Sequence, residues 1–154
     1  MSSAADKRQF ERDVFDMFVQ AAGLKVESDS IRQLDPPSPD LTCIIEDNER
    51  GFELTLLTDE TIERKVRLGR SGYSNFRIDV EGVVNAIRSK NAKNYLGGCI
   101  DLVIHEGATP IDGLWVGAQS EAFRMIQAET DSSKFARVWL LDMTNMRALT
   151  FLKA

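Results

Sequence analysis

The stretch Pro39-Asp40-Leu41-Thr42-Cys43-Ile44-Ile45-Glu46-Asp47-Asn48-Glu49-Arg50-Gly51-Phe52-Glu53-Leu54-Thr55-Leu56-Leu57 decides how the chain is read. Leu41, Cys43 and Ile45 alternate with Thr42, Ile44 and Glu46, the period-two pattern of a strand. The polar run Asp47-Asn48-Glu49-Arg50-Gly51 follows, and a second β-prone run extends from Phe52 to Leu57. Two such runs joined by a polar turn ending in glycine predict a hairpin. Asp40 then stands at the start of the first strand and Glu53 near the start of the second. In a straight ladder those positions lie apart, so their carboxylates meet only if a bend or bulge folds the second strand back. Where they meet, a hard divalent cation has a place, because Mg²⁺ is commonly held by one or two carboxylates plus water and substrate phosphate.

Working outward, Phe10, Val14, Phe15, Met17, Phe18, Ala21 and Ala22 share one arc of a helix from about Lys7 to Ala22, and residues 1–6 read as a frayed tail. Glu11 projects into that arc, whereas Asp13 and Asp16 fall outside it. Gly23 closes the helix, Leu24 to Leu34 reads as an irregular strand, and Asp35-Pro36-Pro37-Ser38-Pro39 stiffens the approach to Asp40. A helix from Thr58 to Gly69 and a loop from Ser71 to Phe76 come next. Asp79 then caps a longer helix whose apolar arc holds Val80, Val83, Val84, Ile87 and Tyr95. Asn91 and Asn94 lie inside this arc and Lys90 on its edge. Cys99 to Ile104 is a nearly continuous apolar run, as in a central strand covered on both faces. Asp101 interrupts it, and His105-Glu106-Gly107 ends it as an exposed loop. Trp115 to Glu129 reads as mostly helical, and Lys134 to Asp142 and Ala148 to Leu152 as two further strands. The order predicts an α/β or α+β fold, a central mixed sheet of about five or six strands flanked by helices.

Pro39-Asp40 followed across the turn by Glu53-x-Thr55 on an apolar strand resembles the PD-(D/E)xK nuclease superfamily, the restriction-endonuclease-like fold. The leading helix, the hairpin, and then the helix through Val83 to Tyr95 with the strand Cys99 to Ile104 extend the likeness over roughly residues 8 to 142. The resemblance implies that Asp40 and Glu53 hold one or two Mg²⁺ (or Mn²⁺) ions and that a lysine two positions after Glu53 helps activate water. That position is Thr55, which carries no positive charge and is also simply a good strand residue. In some members the lysine comes from the second helix, and Lys90 is placed to supply it; a lysine at the edge of an apolar face also snorkels to water. Members often carry an acid on the first helix, a role for which Glu11 is the candidate. As a first-turn residue Glu11 equally suits the helix dipole. Small folds of this type often act as homodimers.

The 154 residues suit a single domain, and 43% hydrophobic with 28% charged residues exclude a disordered chain. No apolar run approaches bilayer length, which speaks against a membrane protein, and the N-terminus lacks the features of a secretory signal, so a cytoplasmic protein is expected. Cys43 and Cys99, each in an apolar run, read as reduced core thiols. His105 is the single histidine, too little for a zinc site of the usual Cys/His kind or for a Ser-His-Asp centre. The net charge of −5 speaks against coating nucleic acid by bulk charge. Yet the segment 64–93 is rich in Lys and Arg. It reads either as a solvated helix face with Glu60/Arg64 and Glu63/Arg67 pairs or as a patch that meets nucleic-acid phosphates.

Two functions follow as expectations. The first is a Mg²⁺-dependent nuclease acting on DNA or RNA, with Asp40 and Glu53 as metal ligands, Glu11 as an auxiliary acid, and Lys90 or Thr55 orienting the water. The second is an interaction or regulatory module that keeps the fold without the reaction, favoured by Thr55 and by the acidic total charge.

Overall fold

Ser3 Oγ accepts the N–H of Asp6, and the Asp6 carboxylate accepts the N–H of Ser3, at 3.1 and 3.2 Å. This reciprocal capping box starts helix α1 at Ala4 (Ala4–Ala22), earlier than the apolar periodicity suggests. For residues 3–6 the expected frayed tail is therefore corrected, since Ser3 and Asp6 satisfy each other's amides; residues 1 and 2 lie outside the described residues. Gly23, at φ 67°, ends the helix in the left-handed conformation that glycine adopts without penalty. A computed structural model describes residues 3–57, 80–106 and 119–154 of the chain.

A six-stranded mixed sheet follows in simple sequence order: β1 (Arg32–Gln33), β2 (Leu41–Ile45), β3 (Asn48–Leu57), β4 (Ile100–Glu106), β5 (Arg137–Asp142) and β6 (Arg147–Leu152). Strands β3, β4 and β5 are parallel in the middle, and the outer pairings are antiparallel. Helices α2 (Val80–Asn91) and α3 (Gln119–Asp131) complete the described elements, giving an α+β protein. Parallel strands need crossovers that cover the sheet. Every residue of β4 is accordingly buried.

Two cores lie on the two faces. Val14, Phe15 and Phe18 of α1 pack on Leu41, Phe52, Leu54, Val103 and Trp139. Phe52 sits between the rings of Phe15 and Phe18, at 5.3 and 5.7 Å. On the other face Val83 and Ile87 of α2 and Ile126 of α3 meet Ile100, Leu102, Ile104, Val138 and Leu140. Fully burying each such side chain contributes roughly 1.5–3 kcal/mol. Successive strand residues point to opposite faces, so the parity of a position in β3 decides which helix it meets.

Other expectations change here. His105 is not in an exposed loop: β4 runs on through Glu106, and His105 is 4% exposed with its ring edge-on to Phe10. Cys43 is buried as expected, but Cys99 is exposed because β4 begins only at Ile100. The irregular strand from Leu24 to Leu34 reduces to a bridge from Val26 to Ile45, one 3₁₀ turn at Ser28–Ser30, and the short β1. The helix expected over Thr58–Gly69, the Ser71–Phe76 loop, the Asp79 cap, and the basic residues Arg64, Lys65, Arg67, Arg70 and Arg77 lie outside the described residues, as does Trp115. Among the described residues no helix is long and apolar enough to cross a membrane.

Candidate functional site

The β2–β3 turn places the first two carboxylates. Glu46 and Asp47 have φ of 51° and 67°, the left-handed pair that defines a two-residue type I′ hairpin loop. The turn expected over Asp47–Gly51 is thus corrected: from Asn48 onward those residues already belong to β3, and Glu53 lies in the middle of a ten-residue strand. The ladder pairs Ile45 with Asn48 and Leu41 with Phe52. Continued by one step, the same register sets Asp40 opposite Glu53. No bulge is needed, because a tight loop does what a bend was invoked to do.

Gly51 locks this approach. A Cβ there would lie 2.9 Å from Pro39 Cγ and 3.3 Å from Ile100 Cγ1, so the buried Pro39 ring packs on bare backbone. Asp40 follows directly. Its N–H donates to Glu53 Oε1 at 3.1 Å, and its Oδ2 accepts the N–H of Leu54 at 2.9 Å. Its carbonyl accepts the N–H of Leu34 at 2.9 Å, tying the site to the segment beyond β1. Burial pushes the Asp40 carboxyl from 3.8 up to about 7 against the opposing bond from Leu54. The neighbouring Glu53 carboxylate and the charge of Glu11 raise it further.

Glu53 is 5% exposed and stands on the α2 side of the sheet. From the last turn of α2, Lys90 Nζ reaches Glu53 Oε2 at 3.3 Å. Tyr95 OH lies 3.0 Å from the same oxygen and 3.1 Å from the Lys90 carbonyl. Burial pushes the Tyr95 phenol upward first, with the Glu53 charge adding to it. Asn91 Oδ1 accepts the N–H of Lys134 at 2.9 Å, a fixing bond for the end of α2.

The structure therefore brings Asp40, Glu53 and Lys90 together. Glu11, on α1, acts on Asp40 through its charge and sits 3.9 Å from Lys7 Nζ. Thr55 is half-buried on the Glu53 side of β3, one repeat further along, beside Ile104 in the ladder. Tyr95 was legible only as part of an apolar arc. The usable signal was the phenol itself, since a buried tyrosine hydroxyl needs a partner. A second polar cluster was also hidden. Asp101 is fully buried and takes Arg50 Nη2 at 2.5 Å, Arg137 Nε at 3.0 Å and Trp139 Nε1 at 3.0 Å.

Two converging acids fit a hard cation such as Mg²⁺ or Mn²⁺, with water and phosphate oxygens completing its shell. Among the described residues no group of three or more His, Cys, Asp or Glu side chains gathers at one point. Comparison of the chain with family models, with curated proteins and with solved structures finds no match in any of the three.

Proposed function

We propose that the protein is a metal-dependent phosphodiesterase acting on DNA or RNA, with a site of the PD-(D/E)xK kind in which the lysine comes from a helix. The observation that carries this reading is Asp40 beside Glu53, with Lys90 on the Glu53 oxygen that Tyr95 also holds. Asp40 and Glu53 would hold the cation. When bound, it supplies Lewis-acid stabilisation of charge on the phosphate and lowers the pKa of a water.

The chain's own residues do the rest. Asp40 and Glu53 crowd negative charge into a partly desolvated site, which favours a cation over the proton as pH rises. Lys90 brings an ammonium to the place where Thr55 cannot, and Tyr95 fixes the Glu53 carboxylate that Lys90 approaches. Glu11 adds negative charge from α1. Among the described basic residues of segment 64–93, Arg88 pairs with Glu129 and Lys90 with Glu53, which leaves exposed Lys93 as the described candidate for a backbone phosphate.

The same pairing of Lys90 with Glu53 favours a second reading, an interaction module whose polar residues satisfy one another and bind no metal. Incubation of a mixed DNA and RNA pool with Mg²⁺ or Mn²⁺ separates the two. Cleavage by wild type that Asp40→Ala and Glu53→Ala both lose supports the enzyme; a folded wild type without cleavage or metal-dependent stabilisation supports the module.

A further inference from the structure

A cavity of about 300 Å³ lies between the end of α1 and the β2–β3 turn, on the α1 side of the sheet. Lys25, Arg50 and Arg137 line it, and Glu46 is its acidic lining residue. The two guanidiniums share one counter-charge, the carboxylate of Asp101, which is fully buried. Their side chains are 19% and 23% exposed, so water neutralises the surplus positive charge only in part. Lys25 adds a third cation. Among the described residues, Arg50 Nε is buried with no hydrogen-bond partner. A buried donor without an acceptor is destabilising.

We propose that this cavity is a binding site for a phosphate group, carried by a phosphate monoester or by free phosphate. The residue chemistry selects the class. Arginine presents a planar fork of donors that matches phosphate oxygens, and an exposed lysine adds a point charge at the rim. The volume holds a phosphate group with room for a small substituent. Nothing in this assignment depends on the carboxylate pair, which faces the opposite side of the sheet.

Inorganic phosphate is the first probe, titrated at constant ionic strength with NaCl as the control. Thermal stability and tryptophan fluorescence are the readouts, because Arg137 lies over the Trp139 ring at 5.3 Å. The expected result is a saturable stabilisation and fluorescence change, with affinity weakened about tenfold or more by Lys25→Glu and by Arg137→Gln. Lys25 is exposed, so its substitution leaves the fold intact even where Arg137→Gln loosens the Asp101 cluster. Phosphate that acts no differently from NaCl, or equal binding to wild type and Lys25→Glu, overturns the site. Competition by a 5′-phosphorylated oligonucleotide, with none from its unphosphorylated twin, assigns the group to a terminal phosphate. Failure of both to compete while phosphate binds assigns it to a free small phosphate.

Discussion

Pro39 Cγ stands 2.9 Å from the point that a Gly51 Cβ would occupy, so the proline ring rests directly on the β3 backbone. The next residue is Asp40, whose amide and carboxylate are both spent on the β3 segment from Glu53 to Leu54. The absence of a side chain at Gly51 thus governs where a carboxylate two strand positions away can stand. Gly51→Ala is expected to lower stability by about 1–3 kcal/mol, the usual cost of overpacking. It should also weaken Mn²⁺ binding although no ligand is altered. Urea unfolding and a Mn²⁺ titration check both.

The Asp40 carboxyl gives a pH signature of defined sign. Its folded-state value is raised from 3.8 to about 7, chiefly by burial. Between those values the folded chain keeps a proton that the unfolded chain has lost, so this group makes stability fall as pH rises through the window. Asp40→Asn removes the effect. The variant should show a flatter pH dependence and be about 1–2 kcal/mol more stable than wild type at pH 8, a figure reduced for solvent screening of a half-open group. Matching slopes for wild type and variant across urea titrations would contradict the assignment.

On the proposed function, divalent cations are expected to compete with that proton. Mn²⁺ affinity is expected to rise as pH passes through about 7 and to be accompanied by proton release. A chelator should reverse the gain in melting temperature, and Asp40→Ala should show no gain at all. Calorimetry in two buffers of different ionisation enthalpy reads the proton count directly.

Lys90 and Tyr95 divide the work on Glu53. Lys90→Ala should reduce phosphodiester cleavage about a hundredfold or more, with Lys90→Arg recovering part of the loss. Tyr95→Phe should cost about 0.5–1.5 kcal/mol of stability, the net worth of a hydrogen bond. A steady-state assay beside a denaturation curve distinguishes loss of chemistry from loss of fold.

Asp101 carries a structural prediction. Asp101→Asn leaves Arg50 and Arg137 partly buried without their shared counter-charge, and should cost about 3–5 kcal/mol. Thermal unfolding at two salt concentrations checks the magnitude and its partial rescue by screening.

The pattern of apolar residues carried the architecture because burial obeys simple periods. The run Cys99 to Ile104 pointed to a doubly covered strand, and β4 is buried along its whole length. The alternation at Leu41, Cys43 and Ile45 matches their burial in β2. The hairpin loop was read at the wrong residues because Glu46 and Asp47 are not the Asn-Gly pair that usually marks such a turn. Asn48 and Gly51 instead looked like turn residues, although Gly51 is there for Pro39. For the candidate site, the sequence singles out Asp40, Glu53 and Lys90 and makes the meeting of the two acids conditional on a bend, a meeting the structure reaches without one. It depends on hairpin register and on the reach of a side chain from α2, neither of which is encoded locally. Tyr95 and the partners of Asp101 were missed for the same reason, since their bonds join residues distant in sequence.

Solvent-facing turns are ordinarily where chains gain and lose residues most freely. The Glu46–Asp47 loop is exposed, yet it counts out which residue stands across from Glu53. A single insertion there would slide one strand past the other by a step and bring a proline or a leucine to that position. Relatives that share this pairing of Asp40 with Glu53 should therefore vary the loop's composition while conserving its length.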